Sequence, residues 1–111
     1  MSNTTLRQRI SAGETLVALR GSLTTTKQQL ADIWSTGGYD YIWIDAQHTA
    51  YSEEQMVRYC AQAEELGIDV QLRIPHTRHA YLVGRFLDLG FSAVLVPEVM
   101  EPETVDDAIS Y

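Results

Sequence analysis

The strongest constraint on the fold is a regular alternation of short apolar runs with longer amphipathic segments. The apolar runs predict strands over Thr15–Leu19, Tyr41–Asp45, Ile68–Ile74 and Phe91–Val96. The amphipathic segments predict five helices. The first is capped by Asn3 or Thr4 and ends at Ser11, and the second covers Thr24–Thr36. The third runs from a capping box at Ser52 to Gly67, the fourth covers Arg78–Leu89, and the last begins at Pro102. Strands that alternate with helices through short loops are typical of βαβ units and a parallel α/β sheet.

Four such units leave two architectures open. One is a small doubly wound sheet, and the other is the first half of a (β/α)8 TIM barrel, whose usual length is about 250 residues. The 111 residues contain no Gly-x-Gly-x-x-Gly loop of the kind that many doubly wound sheets carry. We therefore expect residues 1–111 to form the amino-terminal half of one barrel domain. The nearly continuous apolar strands suggest a sheet that is covered on both faces.

Composition restricts the class of partner. The net charge is −7 and the pI is about 4.7, which argues against nucleic acid. No apolar run approaches the roughly 18 residues of a membrane span, so no membrane partner is expected. A single cysteine, Cys60, rules out an internal disulfide framework and fits a reducing cytoplasm.

Polar side chains follow each predicted strand, at the edge where chemistry gathers in parallel α/β folds. These residues are Arg20 and Ser22, then Asp45, Gln47 and His48, then Arg73, and finally Glu98. Arg73 stands in the otherwise apolar segment Leu72-Arg73-Ile74, and a desolvated guanidinium needs an anionic partner. That partner is either a carboxylate or enolate ligand, or an internal salt bridge to Asp45 or Glu98.

Histidines and a second acid provide further candidates. His48 has the chemistry of a general base near neutral pH. Asp88 lies in an apolar helix end, where a local cap is the simpler interpretation. Because it precedes the fourth strand, simple topology puts it at the opposite end of its own barrel from His48, and a pairing of the two would more naturally cross a subunit interface. His76 and His79 have metal-ligand spacing, but two histidines without a neighbouring carboxylate or thiolate are weak evidence for a metal.

Several segments together resemble the class II pyruvate-dependent aldolases, the hydroxy-oxo-heptanedioate type related to the citrate lyase β-chain. The matching segments, in chain order, are Leu6–Leu19, Tyr39–His48, Leu72–Pro75, Leu87–Gly90 and Val94–Pro97. The family usually reads Ile-Asp-x-Glu-His where this chain reads Ile-Asp-Ala-Gln-His, so Gln47 replaces an acid. That amide removes a charge from the rim next to His48.

The resemblance implies a metal-dependent carbon–carbon lyase that acts on a 2-oxo acid and an aldehyde and is a homo-oligomer. His48 would be the acid/base, and Arg73 would steady the pyruvate keto oxygen. Asp88 would support the histidine, and Gln47 would lie in the substrate site. A divalent metal, Mg²⁺ or Mn²⁺, would polarise the keto acid, and its ligands would lie outside this chain. Two alternatives remain: a non-catalytic half-barrel module, and a citrate-lyase-like acyl lyase.

Overall fold

In a computed structural model of the chain, residues 5–46, 51–97, 99–100 and 102–110 are described. They contain a four-stranded parallel sheet in the sequential order β1-β2-β3-β4. The strands are β1 (Ala18–Arg20), β2 (Tyr41–Asp45), β3 (Val70–Arg73) and β4 (Ala93–Leu95). The helices are α1 (Leu6–Ser11), α2 (Lys27–Ser35), α3 (Glu53–Glu65), α4 (Val83–Asp88) and α5 (Pro102–Ser110), with a 3₁₀ helix over Thr77–Leu82. The α/β class with parallel strands is confirmed; the described strands form an open sheet rather than a closed barrel.

One face of the sheet carries the hydrophobic core. Ile42 and Ile44 of β2 and Leu72 of β3 are almost fully buried. They cluster with apolar residues of the helices, among them Met56 and Phe86. Because side chains alternate across a strand, the residues between them must point to the other face. The helices therefore cover one face of the sheet, and the second face carries the side chains of the alternate strand residues.

The second face is only partly covered within the described residues. Trp43 and Gln71, which are partners in the β2–β3 register, are both half-buried. Leu95 of β4 keeps 43% of its surface exposed. The expectation of a sheet covered on both faces is therefore wrong for the described residues. In a closed barrel this face would be the packed interior.

Capping boxes begin three of the helices. The predicted capping box at Ser52 is confirmed, because the Ser52 hydroxyl accepts from the Gln55 backbone amide and Gln55 Oε1 accepts from the Ser52 backbone amide. Two further boxes begin α1 at Thr5 and α2 at Thr26. Each carries a glutamine three residues on, and this reciprocal bonding decides the start. The cap of α1 predicted at Asn3 or Thr4 is therefore wrong, and α2 starts later than Thr24.

The predicted helix over Arg78–Leu89 is split in two. A 3₁₀ helix begins after His76, whose Nδ1 accepts the Arg78 amide at 3.0 Å, and α4 continues from Val83. Two apolar residues of the helices remain exposed although their helices pack on the core, Val57 of α3 at 47% and Leu87 of α4 at 44%. Each follows a buried neighbour in its helix, and a single helix stripe is too narrow to bury both.

None of the helices in the described ranges is long and apolar enough to cross a membrane.

Candidate functional site

An arginine–aspartate pair lies at the carboxyl edge of the sheet. Asp45 and Arg73 are partners in the β2–β3 register, so their side chains rise from the same face. Arg73 Nη2 donates to Asp45 Oδ2 at 2.7 Å and Arg73 Nε donates to Oδ1 at 3.3 Å. The Asp45 side chain is 3% exposed and that of Arg73 is 26% exposed. Two bonds to one carboxylate fix the plane of the guanidinium as well as its position.

A second arginine approaches the same carboxylate. Arg20, the last residue of β1, places its Nη2 3.8 Å from Asp45 Oδ2 while keeping 60% of its side chain exposed. Its Cζ lies 5.3 Å from the centroid of the Trp43 ring, and the Cζ of Arg73 lies 5.4 Å from the same centroid. Cation–π contact with one indole holds both guanidinium groups near the strand ends.

A cavity of about 250 Å³ opens beside this cluster, at the ends of β1 and β2. It is lined by Arg20, Gly21, Ser22, Leu23, Thr24, Ile44, Asp45 and Gln55. Crevices just past the carboxyl ends of parallel strands are where ligands bind in α/β proteins. The alternative left open for Arg73 is thus resolved in part, because its internal salt bridge to Asp45 exists and Asp45 also lines this cavity.

Comparisons with known proteins place the fold of the chain among aldolases. No family model matches the chain. A 2-keto-3-deoxy-L-rhamnonate aldolase of Klebsiella pneumoniae is 28% identical over 98 residues, which are 88% of this chain and 36% of the relative. The crystal structure of an HpcH/HpaI aldolase from Desulfitobacterium hafniense superposes with a TM-score of 0.75 at 27% identity, over 94% of this chain and 39% of that one. The chain is related to the HpcH/HpaI class II aldolases.

A citrate synthase, SbnG, is also similar, with a TM-score of 0.76 at 25% identity over 94% of this chain and 41% of that one. The predicted resemblance to the class II aldolase and citrate lyase superfamily is therefore confirmed for a partial chain. The chain spans well under half the length of each of these relatives. In each relative, the residues that this chain does not match form the rest of the structure.

Other predicted site residues are not brought to this cluster. Gln47, His48 and Glu98 lie outside the described residues. Asp88 is exposed and ends α4, immediately before the turn into β4. A helix that connects parallel strands runs back to the amino edge of the sheet, so Asp88 and Arg73 lie at opposite edges of one chain.

The described residues do not form a metal centre. No group of three or more histidine, cysteine, aspartate or glutamate side chains comes together in them. His76 uses Nδ1 to cap the 3₁₀ helix through the Arg78 amide. The donor set on the described carboxyl edge is dominated by arginine, which repels a cation. Any metal that acts at this edge would therefore need ligands from outside the described residues.

Two buried groups of α3 are unsuited to acid–base work. Burial raises the pKa of the Cys60 thiol to about 12. Burial, with a smaller contribution from Cys60, also raises the pKa of the Tyr59 hydroxyl to about 12. Both groups stay protonated at neutral pH, and their side chains belong to the core. They serve packing rather than catalysis.

The spacing of Trp43 and Asp45 in the sequence already indicates that their side chains lie together at the end of β2. In β2, residues 41, 43 and 45 share one face, so a tryptophan and an aspartate at two-residue spacing had to stand together at the strand end. Which arginine side chains contact Trp43 and Asp45 depends on the register of β2 with β1 and β3. The sequence alone does not state that register.

Substituting Asp45 by asparagine is expected to lower the free energy of unfolding by about 2 kcal/mol, since removing one member of a buried pair leaves the other charge uncompensated. The value lies below the usual range because Arg73 is partly solvated. Urea denaturation, followed by circular dichroism, measures the change.

Glu53→Gln is the matched control for Asp45→Asn. Glu53 accepts two bonds from Arg85, one of them from Nε at 2.8 Å, but both side chains are about half exposed. An exposed pair contributes about 0–1 kcal/mol. Equal losses in the two variants would contradict the importance of burial at Asp45.

Proposed function

We propose that residues 1–111 are the amino-terminal half of a metal-dependent aldolase barrel. The reaction is the cleavage of a 4-hydroxy-2-oxo acid to pyruvate and an aldehyde. The observation that carries the proposal is the Asp45–Arg73 pair, bidentate and buried on its acidic side, at the carboxyl edge of a parallel sheet. The relation to HpcH/HpaI aldolases supports the reaction class.

The chemistry assigned to Arg73 follows from that pair. When a carbon–carbon bond next to a ketone breaks, negative charge develops on the keto oxygen. A donor fork held in place by Asp45 needs no reorganisation to meet that charge, and such preorganisation is where most electrostatic catalysis comes from. In this proposal Asp45 is a positioning residue and Arg73 is the catalytic one.

The remaining roles rest on sequence position. His48 removes the proton of the aldol hydroxyl, directly or through a water, and Gln47 contacts substrate beside it. Asp88, from a neighbouring subunit of a homo-oligomer, supports His48. Mg²⁺ or Mn²⁺, held by ligands outside this chain, supplies Lewis-acid polarisation of the keto acid. A cytoplasmic enzyme of this kind would act on small carboxylates rather than on macromolecules.

The experiment is an assay of pyruvate release by the protein with a complete barrel, with Mn²⁺ or Mg²⁺ and after chelation. Activity that depends on the metal is expected, while residues 1–111 alone should be inactive. Turnover by residues 1–111 alone would contradict the assignment of the metal ligands to another part of the barrel. No pyruvate from any 4-hydroxy-2-oxo acid would overturn the aldolase.

Two other candidates come from specific observations. The open second face of the sheet, with half-buried Trp43 and Gln71, favours a half-barrel module that associates with another chain. Sedimentation would then show self-association of residues 1–111, whereas a stable monomer would exclude it. The likeness to the citrate synthase keeps an acyl lyase acting on a thioester as the second candidate. Cleavage that requires a thioester substrate would distinguish it from an aldolase.

A further inference from the structure

We propose that Trp43 is a positioning residue that controls which of two arginines binds Asp45. Its indole ring holds Arg20 away from the carboxylate, so that Arg73 keeps both of its bonds to Asp45. This inference rests on the proposed function, in which Arg73 is the catalytic residue, and it adds the residue that keeps Arg73 aligned. Its consequence is that loss of the indole impairs Arg73 through Arg20.

Two guanidinium groups approach the same oxygen of Asp45. Arg73 Nη2 lies 2.7 Å from Asp45 Oδ2, whereas Arg20 Nη2 lies 3.8 Å from it, beyond hydrogen-bonding distance. A shift of about 1 Å would bring Arg20 into bonding range. A carboxylate carries one negative charge and does not neutralise two cations, so the two arginines compete for it.

The ring of Trp43 contacts both cations. The Cζ atoms of Arg20 and Arg73 lie 5.3 Å and 5.4 Å from the ring centroid, inside the range of about 6 Å over which cation–π attraction acts. Trp43 is the register partner of Arg20, and it stands two residues before Asp45 on the same face of β2. Because the ring is half-buried, it is partly desolvated, which strengthens the attraction. The indole therefore gives the Arg20 cation a favourable place other than Asp45.

The two arginines respond differently to the loss of that ring. Arg73 is 26% exposed and is tied to Asp45 by two bonds, whereas Arg20 is 60% exposed and more free to move. Arg20 belongs to β1 and Arg73 to β3, on opposite sides of β2. A guanidinium that reaches Asp45 from β1 does not stand where Arg73 stands. Arg20 thus displaces the Arg73 donors without replacing them.

The first test uses Trp43→Leu in the protein with a complete barrel, a change that removes the ring face and keeps an apolar side chain. It should lower kcat for pyruvate release about tenfold, the factor that corresponds to one partly desolvated cation–π contact. KM should change by about twofold at most, because alignment for the transition state is what is lost. Adding Arg20→Gln should restore kcat to within about threefold of the unmodified protein, since the competing cation is gone. Trp43→Phe, which keeps a ring face, should retain most of the rate.

Trp34→Leu is the matched control, because it makes the same change at the other tryptophan of the chain. Trp34 packs against the core from α2, and its ring centroid lies 6.2 Å from that of Tyr39. Its removal should lower thermal stability, and Arg20→Gln should give no recovery of kcat in that background. Recovery by Arg20→Gln therefore distinguishes positioning by Trp43 from a general loss of packing, which removal of a charge does not repair.

The second test needs no aldolase activity. In heteronuclear NMR spectra of this chain, the Nε–H group of Arg73 should exchange slowly with water, because Asp45 Oδ1 accepts it. Trp43→Leu should speed that exchange about tenfold, and Arg20→Gln should reverse the change. Arg73→Lys, which lacks the Nε–H group, assigns the signal.

A loss of kcat in Trp43→Leu that Arg20→Gln does not recover would overturn the inference. Exchange at Arg73 that Trp43→Leu leaves unchanged would also overturn it. The outcomes separate this inference from the proposed function. If the Arg73 signal responds as expected but the complete protein releases no pyruvate, positioning by Trp43 stands and the aldolase falls. If pyruvate is released and Trp43→Leu is fully active, the aldolase stands and the role of Trp43 falls.

Discussion

Replacing His48 by alanine in the protein with a complete barrel should lower the rate of pyruvate release by about 100- to 10,000-fold, the usual contribution of a positioned acid/base. The loss should appear in kcat rather than KM, since a proton-transfer group acts in the transition state and adds little to substrate binding. Steady-state kinetics with a saturating divalent metal measure both parameters.

His76→Ala is the control for His48→Ala. His76 is exposed and caps the 3₁₀ helix through the Arg78 amide, so its removal should cost stability of about 1 kcal/mol and little rate. Gln47→Glu restores the acid of the family motif, and its rate of pyruvate release shows separately how a charge beside His48 affects turnover. An unchanged rate in His48→Ala removes that residue from the mechanism.

Gly90→Ala should cost about 3 kcal/mol or more of unfolding free energy, the largest stability effect that we expect in this chain. Two causes add. The φ of Gly90 is +120°, a conformation that residues with a Cβ rarely adopt, and an added Cβ would lie 2.7 Å from Cys60 Cβ. The contact is with the first side-chain carbon of a core residue in α3, which cannot move away on its own. Urea denaturation measures the loss.

Gly13→Ala separates the two causes. Gly13 also has a positive φ, +74°, but no atom lies within 4 Å of an added Cβ, so only backbone strain of about 1 kcal/mol applies. In a Cys60→Gly background the extra cost of Gly90→Ala should fall toward the Gly13 value, because the clashing carbon is gone. If Gly90→Ala and Gly13→Ala cost the same, the close approach of the α4–β4 turn to α3 is not important for stability.

The elements that could be predicted are those whose signal is local. β2 matches its predicted bounds, Tyr41–Asp45, because the apolar run there begins shortly after Gly37 and Gly38 and ends in polar residues. The box at Ser52 and the start of α5 at Pro102 were predicted for the same reason. β1 and β4 are shorter than their apolar runs, since a strand extends only as far as a neighbour pairs with it. That limit is a tertiary property.

The candidate site divides in the same way. That Arg73 needs an anion followed from its apolar surroundings alone, and a ligand, Asp45 or Glu98 could each have supplied it. The choice of Asp45 required the β2–β3 register, which sets the two residues directly opposite each other. The placement of Asp88 at the far edge agrees with the direction of a helix that connects parallel strands.

By itself, the sequence determined the alternation of strands and helices, the parallel class of the sheet and the edge at which polar residues collect, because hydrophobic period and helix caps are properties of neighbouring residues. Only the tertiary structure decided that Arg20 and Arg73 share Asp45 and Trp43, and that one face of the sheet stays partly open. Those contacts join residues on three different strands, and their distances are set by strand pairing and side-chain direction rather than by spacing along the chain.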